Sequence, residues 1–206
     1  KDDGSVITWG SIYTGGNGRR GDPHITEVGG LDSGVIKIFP SQGGNAYAAL
    51  KNDGSVITWG RDRFISGFDT WIRRYGSDSS PVSDSISSGV IDIFSAGDSF
   101  AALKDNGSVV SWGNLAVGYY APKFSGLTVT NSGVIKIVTS TSIRGGANIS
   151  TRGGVGLYAA LKNDGSVITW GGTLNTYGTY HAAVKTEISS GVKDFPVVKG
   201  LETDIL

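Results

Sequence analysis

Residues 50–60 read LKNDGSVITWG, and residues 161–171 repeat the same eleven letters. Residues 103–113, LKDNGSVVSWG, are a third copy with small changes. The chain opens at Lys1 with KDDGSVITWG, a fourth copy that lacks the leading Leu. The turn glycines of these copies are Gly4, Gly54, Gly107 and Gly165, which gives steps of 50, 53 and 58 residues. A second landmark keeps the same rhythm: GVIKIF from Gly34, GVIDIF from Gly89, GVIKIV from Gly133 and GVKDFP from Gly191. A period near 50 with strand-like content points to a propeller or a solenoid.

Each repeat reads as a first strand (VIKIF), a variable turn, a second strand (AYAAL, SFAAL, LYAAL), a tight turn (KNDGS), a third strand (VITWG) and a variable spacer. Val, Ile, Thr and Trp suit a pleated, half-buried surface. Alternation puts Val56, Thr58 and Gly60 on one face of the third strand and Ile57 and Trp59 on the other. The Asn-Asp-Gly and Asp-Asn-Gly turns supply the residue types that accept positive φ, so the second and third strands are predicted to form a hairpin.

The order GV-x-x-I, then A-L-x-x-D-G-x-V-x-x-W-G, resembles the repeat of the regulator of chromosome condensation family, most closely its bacterial members. The resemblance covers nearly the whole chain in four registers. It implies an all-β fold, a β-propeller built from about four repeated four-stranded blades. Four units stand here where seven are usual in that family, and the family's G-Q-L-G stretch after Trp-Gly is missing. Among the bacterial members is a secreted propeller that inhibits β-lactamase, so the resemblance also admits an inhibitor gripping one protein through its loop face.

The chain ends suggest how such a ring closes. Joining the C-terminal DIL to KDDGSVITWG reproduces the AAL-KNDGSVITWG phase. The N- and C-terminal segments are therefore expected to share one blade, which leaves no free edge. The single repeat domain, 1–206, divides into units at about 34–88, 89–132, 133–190, and 191–206 joined with 1–33. The joined phase favours a closed four-bladed ring. Head-to-tail association of copies, and excision from a longer array, predict the same phase.

Composition narrows the function. Lys plus Arg and Asp plus Glu each number 18, so net charge is zero and the basic footprint of a nucleic-acid binder is missing. No apolar run is long enough for a transmembrane helix, so membrane insertion is not expected. There is no Cys, which removes disulfides, thiolate catalysis and Cys-type zinc sites. That composition suits a bacterial extracellular or surface protein. Gly is 33 of 206 residues, about twice the usual share, and reads as many tight turns.

No catalytic, cofactor or metal site is expected. His24 and His181 lie in spacers of different units, and no H-E-x-x-H, G-x-S-x-G or P-loop pattern occurs. The Asp of each DGS turn is one oxygen ligand or two, too few for calcium. Trp9, Trp59, Trp112 and Trp170 recur at one place in the repeat, which reads as blade packing. A sugar-binding propeller lectin, in which those rings stack on carbohydrate, is the most distant alternative. Arg20-Gly21-Asp22 is a three-residue match to an adhesion tripeptide and carries little weight. The spacer RDRFISGFDTWIRRYG at 61–76 differs in kind from the other three. It brings Arg61, Arg63, Arg73 and Arg74 together with Phe64, Phe68, Trp71 and Tyr75, residue types enriched at protein-interface hot spots. It is the candidate contact for a protein partner or for another copy of the chain. Residues 139–156, Gly-rich and weakly apolar, read as a mobile loop. The expected function is a non-enzymatic binding or structural module.

Overall fold

The computed structural model describes residues 1–8, 29–44, 46–60, 63–65, 72–74, 76–113, 115, 126–130, 132–142, 155–171 and 191–194, with backbone alone at 63–65, 72–74, 126–127, 141–142 and 155. The fold is all-β and antiparallel. Unit one is β1 (Val35–Pro40), β2 (Ala46–Lys51) and β3 (Val56–Gly60) in that order in one sheet. A separate two-stranded sheet follows, β4 (Arg63–Ile65) and β5 (Ile72–Arg74). Unit two is a four-stranded meander of β6 (Val90–Ala96), β7 (Ser99–Lys104), β8 (Val109–Gly113) and β9 (Gly126–Thr130). Unit three is β10 (Val134–Ser142), β11 (Val155–Lys162) and β12 (Val167–Gly171).

The three units superpose in register as well as in sequence. Tyr47 faces Trp59, Phe100 faces Trp112 and Tyr158 faces Trp170 across their ladders. In every unit the first strand carries one extra residue, at Ile36, Ile91 and Ile135, where the register shifts. Such a bulge twists an edge strand and makes it a poorer template for another chain.

Alternation sorts each sheet into two faces, and both faces are used. The face holding Ala46, Ala48, Leu50 and Val56 of unit one packs on Phe100, Ala102, Val110 and Trp112 of unit two. The other face of unit two, with Ala101, Leu103 and Val109, packs on Tyr158, Ala160, Ile168 and Trp170 of unit three. Each contact therefore sets a trailing face of small residues against a leading face of stacked aromatics. The small residues are what admit the rings at close sheet spacing. Unit one is covered in the same sense by Val6 and Leu31, which lie against Ala49, Trp59, Tyr47 and Ile57.

Two local features depart from the sequence reading. The stretch 139–156 is not a loop at its ends. Its first four residues extend β10, its last two belong to β11, and the ladder runs Thr139↔Tyr158 to Ser142↔Val155. Alternating Thr and Ser are compatible with an extended ladder, so low apolar content does not mark a loop here. The second feature is a 3-10 helix at Ser80–Ile86, with a proline in its first turn and Val82 and Ile86 buried. It fills the gap between units one and two. Only Ser-Pro signals it in the sequence, because seven residues are too few to show a helical period.

Candidate functional site

The repeated turn serves two purposes. Within a unit it closes the hairpin: Gly54 N–H donates to Lys51 O at 3.0 Å and Lys51 N–H to Ser55 O at 2.9 Å. Asp53 Oδ1 accepts from Ser55 N–H at 2.9 Å and from its hydroxyl at 2.6 Å; Asp164 and Ser166 repeat these contacts at the same distances. Between units the turn is a stitch. The Gly carbonyl accepts from the Val that opens the following unit: Gly4 O from Val35 N–H, Gly54 O from Val90 N–H and Gly107 O from Val134 N–H, each at 3.0 Å, and Gly165 O from Val192 N–H at 3.3 Å. The landmark glycine of that same unit then accepts from its own hairpin, as Gly34 O does from Asn52 N–H at 2.9 Å. This explains why the two motifs travel together: they touch across each unit boundary.

The serine hydrogen bonds hold the carboxyls of Asp53 and Asp164 below the ordinary aspartate value of 3.8, the side-chain bond first and the backbone bond second. A depressed carboxylate favours the folded turn above its ordinary pKa and loses that contribution as pH falls through the lowered value. The middle copy has Asn106 in place of Asp, with Ser108 N–H donating to Asn106 Oδ1 at 2.9 Å. The side-chain amide of Asn106 does not titrate. An NMR titration toward pH ~2 is expected to shift the Ser55 and Ser166 amide signals further than that of Ser108, whose acceptor on Asn106 keeps its charge state.

The tryptophans at the repeated position are interior. Trp59, Trp112 and Trp170 are buried, and each stacks on the aromatic of its second strand, with centroids 5.3, 5.5 and 5.0 Å apart. None of the three presents a free ring to a sugar. Two of their N–H groups make bonds the sequence did not reveal. Trp112 Nε1 donates to Gly76 O at 2.9 Å, and Trp170 Nε1 donates to Ser111 Oγ of unit two at 2.8 Å. Ser99 Oγ donates to Ala96 O at 2.7 Å, so the 2.8 Å contact with Tyr158 is a donation from the phenol. Burial pushes the Tyr158 phenol well above its ordinary pKa. Unit two has Phe100 at the position of Tyr158. Tyr158→Phe should accordingly keep the packing and cost only about 1 kcal/mol in urea unfolding, the worth of one hydrogen bond whose partner remains satisfied.

The lysine that ends the second strand of units one and two is a further contact the sequence did not single out. Lys51 Nζ donates to Gly30 O at 3.1 Å and Lys104 Nζ to Ser85 O at 2.6 Å, each tying down the segment that precedes its own unit.

The spacer predicted as a partner contact folds as the β4–β5 hairpin, with Arg63↔Arg74, Phe64↔Arg73 and Ile65↔Ile72 in register. It is a sheet apart from the repeat ladders. Arg61, Phe68, Trp71 and Tyr75, and the side chains of Arg63, Phe64, Arg73 and Arg74, lie outside the described residues, as do Trp9, His24, His181 and the Arg20–Asp22 tripeptide. Among the described residues, no group of three His, Cys, Asp or Glu side chains is placed to hold a metal ion. No helix among them is long and apolar enough to cross a membrane.

No protein-family model matches the chain, and no curated protein does. Among solved structures, the crystal structure of human WBSCR16 is similar at a TM-score of 0.36 and 19% identity, over 72% of this chain and 37% of that one. A likeness at this level carries neither fold nor function across.

Proposed function

We propose that the chain is a non-enzymatic binding or structural module of a bacterial extracellular or surface protein. Its units are the blades of a β-propeller of about four blades, with the two chain ends sharing one. The observation that carries this reading is the recurring interface. Three units use the same faces, the same stacked aromatic pair and the same glycine stitch, and the described side chains of those faces are spent on packing. A scaffold of that kind presents variable segments while its strands stay uniform.

The variable segment with contact chemistry is 61–76. It stands on its own hairpin, and the ladders of the repeat make no use of β4 or β5. Arginine and large aromatics are suited to anchor a protein partner, at about 2 kcal/mol or more per anchor. The test is a photo-reactive residue at position 64, used to cross-link proteins of the cell surface or medium. A specific adduct that disappears when Phe68, Trp71 and Arg73 are all changed to Ser, with circular dichroism unchanged, supports the reading. No adduct, or one the triple variant keeps, defeats it.

A further inference from the structure

We propose that Asn106–Gly107, in the turn that joins units two and three, is a latent deamidation site. The folded turn holds the reaction back, and opening of that turn releases it.

The sequence carries the chemistry. Asparagine is a thermolabile side chain, and its amide carbon is open to attack by the backbone nitrogen of the next residue. A glycine leaves that nitrogen uncrowded, since it has no Cβ. The chain writes Asn-Gly at 17–18 and at 106–107, and the first pair lies outside the described residues. Asn52 and Asn163 precede aspartates, whose side chains crowd the attack. Asn106 is exposed. The reaction needs only base and water. Base takes the Gly107 N–H proton, and the nitrogen bonds to Asn106 Cγ. The Cγ–Nδ2 bond breaks, and Nδ2 leaves as ammonia with the proton that the base took up. Water then opens the cyclic imide at either carbonyl, leaving an aspartate or an isoaspartyl linkage at position 106. Water is consumed, ammonia is released, and nothing is oxidised or reduced.

The structure shows what restrains these groups. Gly107 N–H donates to Lys104 O at 2.9 Å, so the proton that must leave is engaged. Asn106 Oδ1 accepts from Ser108 N–H at 2.9 Å, so the amide under attack is fixed. Three more bonds clamp the turn: Lys104 N–H to Ser108 O at 2.9 Å, Asp105 N–H to Gly89 O at 2.9 Å, and Val134 N–H of unit three to Gly107 O at 3.0 Å. Bonds of this kind release by local opening, so the rate follows how often the turn opens.

The two products differ in what they do to the fold. Aspartate stands at the matching place in the other three copies, as Asp3, Asp53 and Asp164, each accepting from the backbone N–H of the serine two residues on. That product fits the turn. The isoaspartyl linkage adds a methylene to the main chain where space is short: even a Cβ on Gly107 would fall 2.7 Å from Gly133 N. It draws Gly107 O off Val134 N–H and opens the seam between units two and three.

Peptide mapping of the full chain, incubated in mildly alkaline buffer with and without guanidinium chloride, tests the proposal. Conversion at Asn106 is expected about tenfold or more slower in buffer than in denaturant. Asn106→Asp should keep the parent's circular dichroism and melting temperature, and its Ser108 amide should shift in acid as those of Ser55 and Ser166 do. The isoaspartyl chain, separated by chromatography, should lose hydrogen-exchange protection at Val134. No conversion in denaturant overturns the site, and equal rates with and without denaturant overturn the restraint. An Asn106→Asp chain that melts well below the parent, or an isoaspartyl chain that keeps Val134 protected, overturns the difference assigned to the products.

Discussion

Trp112→Ala should lower the unfolding free energy by about 3–5 kcal/mol, a large share of the whole for a chain of this size. Three losses coincide at this side chain. Its ring is fully buried between units one and two, in the cluster that includes Val82 and Ile86 of the 3-10 helix. It stacks on Phe100 at 5.5 Å, a contact that adds to simple burial. Its Nε1 satisfies the carbonyl of Gly76, which the structure also buries. Alanine removes the ring, leaves a cavity and strands an acceptor. Trp59, at the end of the described stack and clustered, among the described residues, with Val6 and Leu31, should cost less. Urea denaturation of both variants measures the difference. A Trp112→Ala cost at or below that of Trp59→Ala would mean that the interface between units is not the main store of stability.

The ordering of those two costs was not legible in the sequence, although the tryptophans were. Their place in the third strand, the alternation of Val56 against Ile57 and Trp59, and the hairpins at the three complete turns all follow from local pattern, because a strand's faces are set by its period of two. What the local pattern could not hold is anything between units. Ser111 and Ser99 read as ordinary strand polar residues, yet one receives Trp170 and the other Tyr158 from the next unit. Their roles depend on partners 59 residues away in the chain. The candidate contact at 61–76 shows the converse. Its composition marked it as different, and the structure adds the hairpin that carries it, but composition alone could not say that β4 and β5 would pair with each other instead of extending unit one.

Gly107→Ala should cost more than a left-handed backbone alone explains, and Gly44→Ala supplies the comparison. The two glycines have nearly the same positive φ, +75° and +70°. An alanine in that region costs about 1–2 kcal/mol whatever its surroundings. At Gly44 a Cβ meets nothing within 4 Å, so that conformational cost should be nearly the whole effect. At Gly107 a Cβ falls 2.7 Å from the backbone nitrogen of Gly133 and 3.2 Å from that of Val134. Backbone cannot swing aside as a side-chain tip can. Relief requires unit three to move off unit two, which stretches the Val134 N–H to Gly107 O bond and disturbs the Gly133 carbonyl that accepts from Asn163. The total is expected at about 3–5 kcal/mol, in the range of overpacked core positions with a broken hydrogen-bond chain. Gly54→Ala should behave alike, since its Cβ would sit 2.7 Å from Gly89 N. Urea unfolding of the three variants decides the matter. Equal costs at positions 44, 54 and 107 would reduce the repeated glycine to a hairpin requirement. A gap of about 2 kcal/mol or more makes it the residue that lets one unit rest on the next, and the reason the chain writes the same turn at every boundary.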